Sequence, residues 1–239
     1  MITLLQYPAA LGLPNPSPFC MKVEILLKMS GLPFGIETVS DPRKGPKGKL
    51  PAASFDGGPM IGDSELIRRE LASRHGFDPD EGLDDRQKAT AHAIARMLEE
   101  RLYWAIVHTR WIDQSTYDAI AGELFGAMPP VIRTIVKGVA QKKVRANLKG
   151  HGLGLHEVQD IMAFAMADID ACAVLLGDQD WFMGAEPSGI DATGVAFLAN
   201  VLVPVFGSPL KTALRRHPNL VAYVERGRAR WYPDYPSWG

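Results

Sequence analysis

SPFCMKVEILLKMSGLPF, residues 17–34, is where the fold of this chain is written most plainly. Pro18 sits at a first helical position, where its missing N–H costs nothing, and Ser17 before it is a favoured cap. Phe19, Cys20, Val23, Leu26 and Leu27 then recur at i, i+1, i+4, i+7 and i+8, so a helix is predicted over 18–29. Gly31 and then Pro33 stop it. The opening also has the shape of a C-x-x-C thiol–disulfide motif that lacks its leading, attacking cysteine. Ser17 stands first and only Cys20 remains. A serine cannot open a disulfide, so this helix start has another use.

Strand character flanks the helix at ITLLQY (2–7) and FGIETV (34–39). The basic, turn-rich DPRKGPKGK (41–49) leads into LPAASFD and PMIGD, a short hairpin around Gly57–Gly58. Asp63–Ser64 cap a further helix to about His75, with Leu66, Ile67 and Leu71 turned inward. The order is β-α-β followed by β-β-α. Beyond the polar FDPDEGLDD (77–85), apolar residues at 94, 97, 98, 102, 105 and 106 predict one long helix over 85–112. More helices are predicted at about 116–126, 129–148, 156–176, 189–203 and 209–215, and ERGRARWYPDYPSWG is expected to pack its aromatics and prolines on the body of the domain. The organisation is a small α/β domain, 1–76, joined to an all-helical domain, 86–239.

The 239 residues are 46% hydrophobic and 22% charged, enough to bury a core. A net charge of −1 removes any whole-molecule argument for nucleic acid, and the cations of 43–49 lack interleaved aromatics. Two cysteines, Cys20 and Cys172, make no disulfide framework, so a reducing, cytoplasmic setting is expected. MITLLQYP is not a signal peptide. The longest apolar run, VAFLANVLVPVF (195–206), contains Pro204 and is too short to span a bilayer; it reads as a helix buried on all sides. No metal site is expected, since His151 and His156 in GHGLGLH have no ligand cluster around them. Ser188-x-x-Asp191 is a capping box with a folding role.

SPFC (17–20), GKLP (48–51) and DSELI (63–67) precede LYW…HTRW (102–111), GHGLGLH (150–156), WFMGAEPSGIDATGVAFLA (181–199) and HPNLVAYVERGRARWYPD (217–234). In this order they resemble the glutathione transferase superfamily, and within it the bacterial failed-axon-connections/metaxin-like branch. The resemblance covers nearly the whole chain. It implies an α/β thioredoxin-like N-terminal domain plus an all-α C-terminal helical domain. It also implies glutathione as co-substrate without a metal, a second-substrate pocket in the helical domain, and a homodimer.

A free thiol of pKa ~8.5 is mostly protonated at neutral pH, and the thiolate is the nucleophile. Lowering that pKa by two units needs roughly 2.7 kcal/mol of preferential thiolate stabilisation. A helix N-terminus and a donated hydroxyl hydrogen bond both supply it. Ser17 stands where the two meet and is the first candidate to hold a bound sulfur as an anion; as a bare pattern, it is equally a plain N-cap. Tyr7, ten residues earlier, is the rival hydroxyl, a longer gap than the family pattern. By resemblance, Phe19 joins the glutathione set, Leu50–Pro51 is a cis step presenting backbone to the cysteinyl part, and Lys49 takes the glycyl carboxylate. Asp63 and Ser64 receive the γ-glutamyl end. Tyr103, Trp104, His108 and Trp111, spaced for one helix face, form the second-substrate pocket or are simply core. Arg110 serves an interface or an ion pair. The function implied is conjugation of the glutathione thiolate to a small apolar electrophile. The alternatives are a non-catalytic glutathione-binding or metaxin-like adaptor protein, and a reductase using Cys20.

Overall fold

The computed structural model describes residues 1–126, 128–203 and 205–239. Strand β1 (Ile2–Gln6), helix α1 (Pro18–Ser30) and strand β2 (Phe34–Thr38) form a β-α-β unit, with β1 and β2 parallel and Ile2 opposite Phe34. Strand β3 (Ala52–Phe55) runs antiparallel to β1, and the two-residue β4 (Ile61–Gly62) antiparallel to β3, giving the order β2-β1-β3-β4. Helix α2 (Ser64–His75) completes the unit. The register matters for function. Leu5, Ala52 and Gly62 are paired neighbours across three strands, so Tyr7, Pro51 and Asp63 all emerge at the same end of the sheet. Because α1 returns antiparallel to β1, its N-terminus opens at that end too.

Helix α1 is buried nearly all round, beyond the single stripe its apolar spacing predicts, because it lies between the sheet and the helical domain. Its charged residues are answered there: Lys22 Nζ meets Glu99 at 2.7 Å, and Gln6 donates to Glu24 at 2.8 Å. Leu66 faces out at 41% exposure, contrary to expectation. The inward stripe of α2 is Ser64, Ile67 and Leu71, at i, i+3 and i+7, and Leu66 falls one helical step to its side.

The helix predicted over 85–112 is continuous but not uniform. Helix α3 (Asp85–Arg96) passes through a π-helical segment, Met97–Leu102, into α4 (Tyr103–Trp111). Ile94, Leu98, Leu102, Ile106 and Arg110 are all buried, a strict four-residue repeat. In an α-helix each four-residue step overshoots a full turn by about 40°. The wider i→i+5 turn takes up part of that drift and helps to keep the repeat aimed inward.

Helices α5 (Gln114–Phe125), α6 (Pro130–His151), α7 (Val158–Leu176), α8 (Gly189–Val201), α9 (Pro209–Arg215) and α10 (Pro218–Trp231) complete the domain. Helix α8 is buried along its whole length and ends at Val201; the proline of the predicted run, Pro204, lies outside the described residues. Its capping box forms around Asp191, which accepts from the backbone of Ser188 (2.8 Å) and Phe182 (3.0 Å) and from the Tyr223 hydroxyl (3.0 Å). Helix α10 was not expected. Its signals were local all the same: Pro218 at the first position, and Leu220, Val224 and Trp231 on the buried side.

Candidate functional site

Ser17 caps α1 from an extended backbone, its Oγ accepting the Cys20 N–H at a long 3.4 Å, and its hydroxyl also faces the Cys20 thiol. The loop between Tyr7 and Ser17 folds as a compact hairpin. Ala10 and Leu13 exchange backbone hydrogen bonds, with Leu11 and Gly12 at positive φ between them. Leu11 and Leu13 are buried, and the Leu11 N–H donates to Glu123 on α5. Asn15, which sequence reasoning missed, is wholly buried. Its Oδ1 accepts the Ser17 N–H at 3.0 Å and its Nδ2 donates to the Tyr7 carbonyl at 2.8 Å, tying the two candidate hydroxyl residues together. The signal was the Asn-Pro-Ser turn, in which an Asn side chain bonds the backbone two residues on.

Cys20 is fully buried in a small cluster with Leu5, Leu50 and Ala52, and Tyr7 packs on that cluster. Burial pushes its thiol up to about 12, against hydrogen bonds from Ser17 and the Tyr7 backbone that pull the other way. A sealed thiol held in its protonated form is poorly placed to attack, which weighs against the reductase reading. Burial first, then the neighbouring Cys20 and Tyr103, raise the Tyr7 phenol, so it stays a neutral donor. The Leu50–Pro51 bond is cis.

Asp63 caps α2, its Oδ1 accepting from Glu65 N (2.9 Å) and Leu66 N (3.3 Å). It does so at φ +100°, a strained region for a non-glycine residue and one that concentrates at ligand clamps. Ser64 follows, buried, at the first helical position, while Lys49 is exposed on the preceding loop. That loop closes tightly: a Cβ at Gly45 would stand 2.1 Å from the Lys49 carbonyl oxygen.

From the helical domain, the four aromatic candidates do not share one neighbour. Tyr103 packs edge-on against Phe19 (5.0 Å between centroids) and lies near Phe197 (6.3 Å), beside the α1 N-terminus. Trp104 stacks on His151 at 4.7 Å, and Trp111 faces Tyr117 and Phe125. His108 is buried, and its desolvation disfavours the charged form.

Arg110 reaches the site by a route the sequence did not suggest. Only 6% exposed, it donates from Nη1 to the Pro16 carbonyl at 2.7 Å and from Nη2 to Asn200 O (2.7 Å) and Oδ1 (2.8 Å). Among the described residues it pairs with no carboxylate, and its Nε has no partner. Burial pulls its pKa down only to about 10, so it remains a cation at neutral pH. It pulls down the Tyr103 phenol, which burial pushes up. A buried positive charge therefore holds the residue that precedes the Ser17 cap. The Phe19 N–H at the start of α1, two hydroxyl groups and a guanidinium with no carboxylate beside it among the described residues make this corner suited to an anion.

Two family models match the chain: glutathione S-transferase N-terminal domain over residues 18–116, and glutathione S-transferase C-terminal domain over 165–227. The chain is 30% identical over 240 residues to isoprene-epoxide–glutathione S-transferase of Rhodococcus, covering 97% of this chain and 99% of that protein. It is 28% identical to Failed axon connections of Drosophila melanogaster, covering 98% of this chain and 59% of that one. It is also 28% identical to Metaxin-1 of Macaca fascicularis, covering 93% and 72%. A glutathione S-transferase from Methylobacterium radiotolerans, solved with glutathione sulfonate, superposes with a TM-score of 0.64 at 21% identity, covering 98% and 93%, a likeness of fold.

Proposed function

The chain belongs to the glutathione S-transferase superfamily, and we propose that it conjugates the glutathione thiolate to a small apolar electrophile. The observation that carries this is the Ser17 cap. Its hydroxyl stands at the start of α1, and the Cys20 thiol beside it is sealed from solvent. The sulfur handled there belongs to a ligand. Ser17 donates to the thiolate, with Tyr7 as a second donor. Leu50 lines the same corner through its backbone and Phe19 beside it through its ring. Asp63 and Ser64, at the start of α2, take the γ-glutamyl end, where Asp63 Oδ1 is already spent on its own helix. Lys49 takes the glycyl carboxylate. Tyr103 walls the sulfur corner, while Trp104, His108 and Trp111 line the approach farther along α4.

The name of the Rhodococcus relative supports an epoxide as the first electrophile to test. The relatives Failed axon connections and Metaxin-1 favour a second reading, in which the site binds glutathione without turnover and the protein acts as an adaptor. A homodimer is part of the proposal, supported by a groove of about 380 Å³ in which Ala89, Ala93, Ile94, Met97 and Leu175 stand beside Arg86 and Thr90, away from the sulfur corner. A cytoplasmic, reducing setting is supported by two free, buried cysteines.

The test is glutathione titration by calorimetry, with the ultraviolet absorbance of the bound thiolate followed against pH. Ser17→Ala is expected to keep the fold and raise the bound thiol's pKa by about 1–2 units, since a charge-assisted hydrogen bond contributes roughly 1.5–3 kcal/mol. Binding without conjugation of any epoxide would favour the adaptor. An unchanged thiol pKa would take Ser17 out of the mechanism.

A further inference from the structure

Helix α6 differs from the rest of the chain in charge and in exposure. Its 22 residues include Arg133, Lys137, Lys142, Lys143, Arg145 and Lys149 and no acidic residue, in a chain whose net charge is −1. Lys137 pairs with Asp118 on α5. Lys142, Lys143, Arg145 and Lys149 are exposed, and none of them makes an ion pair among the described residues. Toward the N-terminus of the same helix, Val131, Ile132, Ile135 and Val139 stand 74%, 51%, 61% and 64% exposed.

These two sets share a face. At 3.6 residues per turn, positions 131, 135, 139, 142 and 149 fall within an arc of about 80°, and adding 132, 143 and 145 widens it to about 160°, just under half of the helix surface. Val136, Ala140, Val144 and the buried Leu148 occupy the opposite side. The apolar end continues into the exposed Pro129 and Pro130. The helix lies between the two segments matched by the family models.

An exposed apolar stripe that continues into unpaired cations is the pattern of a helix lying in the plane of a bilayer surface. We infer that α6 docks this protein on an anionic lipid bilayer. Val131, Ile132, Ile135 and Val139 enter the boundary of the acyl region, and Lys142, Lys143, Arg145 and Lys149 meet lipid phosphates. This is a surface contact: no helix among the described residues is long and apolar enough to cross a membrane. A second copy of the chain fits the face poorly. A two-fold contact sets the same patch on both subunits, and this patch holds cations with no acid to answer them.

The experiment is co-sedimentation of the full chain with vesicles of phosphatidylcholine and phosphatidylglycerol, compared with pure phosphatidylcholine, at low and high salt. Binding to the mixed vesicles alone, weakened by salt, is expected. Each neutralised cation weakens it about fivefold, so Lys142→Gln with Lys143→Gln costs about 25-fold. Ile135→Gln with Val139→Gln reduces binding at least tenfold at unchanged charge. All four positions are exposed, so the melting temperature and glutathione binding stay at wild-type values. No binding to anionic vesicles overturns the proposal. So does equal binding to neutral ones, or stripe variants that change only the mass of the chain in solution.

Discussion

Replacing Arg110 by Met removes three short hydrogen bonds, to Pro16 O, Asn200 O and Asn200 Oδ1. Bonds from a charged donor contribute ~1.5–3 kcal/mol each, so the gross loss is roughly 5–9 kcal/mol. Several kcal/mol return, because the guanidinium is desolvated without a counter-ion and Met fills comparable volume without a charge. The expected net loss is ~2–4 kcal/mol. At ~2–4 °C per kcal/mol for a chain of this size, the melting temperature falls by about 10 °C. Arg110→Lys should do no better, because a point-charge ammonium cannot span acceptors on two elements as the planar fork does. The assay is urea unfolding of wild type, both variants, Asn200→Leu and the Arg110→Met/Asn200→Leu double variant, with glutathione affinity measured on each. A coupling of at least ~1 kcal/mol between positions 110 and 200 is expected. Met at wild-type stability would mean that the bonds only offset desolvation. A loss of stability at unchanged glutathione affinity would refute the claim that Arg110 positions the Ser17 cap through Pro16.

Cys20 alkylation in the native protein should stay negligible through the pH range where an ordinary thiol of pKa ~8.5 labels, because burial raises this one to about 12; fast labelling, or loss of conjugation in Cys20→Ala, would reinstate it. Asn15→Ala should destabilise by ~2–3 kcal/mol, as a buried acceptor on Tyr7 and donor on Ser17 are orphaned, and should weaken glutathione binding in calorimetry. Lys22→Met leaves Glu99 buried with Arg96 as its one ion-pair partner among the described residues and should cost ~2–4 kcal/mol in urea unfolding. Lys22→Met with Glu99→Leu should recover most of that loss, and a double variant no better than the single would show that the pair is stabilising in its own right.

The parts of the fold that were legible were those encoded locally. Ser17, Pro18 and Gly31 specify α1 within fifteen residues, and Asp63–Ser64 mark the start of α2 as clearly. What could not be read was set by partners distant in sequence. The neighbours of Tyr103 and Trp104 are Phe19, Phe197 and His151, on three other elements. A helical wheel therefore groups side chains that the packing then divides. Arg110 looked like an interface or ion-paired cation because its acceptors, Pro16 and Asn200, are neutral groups about ninety residues away on either side. Asn15 and α10 are a different case: an Asx turn and a Pro-led apolar stripe were present in the residues themselves.

The π segment links these observations. A uniform α-helix from Asp85 would carry the four-residue repeat progressively off the core, by about 160° over the four steps from Ile94 to Arg110. Arg110 would then face solvent, away from Pro16, and Tyr103 would rotate off Phe19. Widening one turn at Met97–Leu102 takes back part of that rotation and helps to aim both at the start of α1. The same segment carries Glu99, which clamps Lys22 one turn into that helix. One local departure from α geometry thus sets the wall, the buried cation and the anchor of the sulfur corner together, which fits the tendency of π-turns to persist where function needs a displaced register.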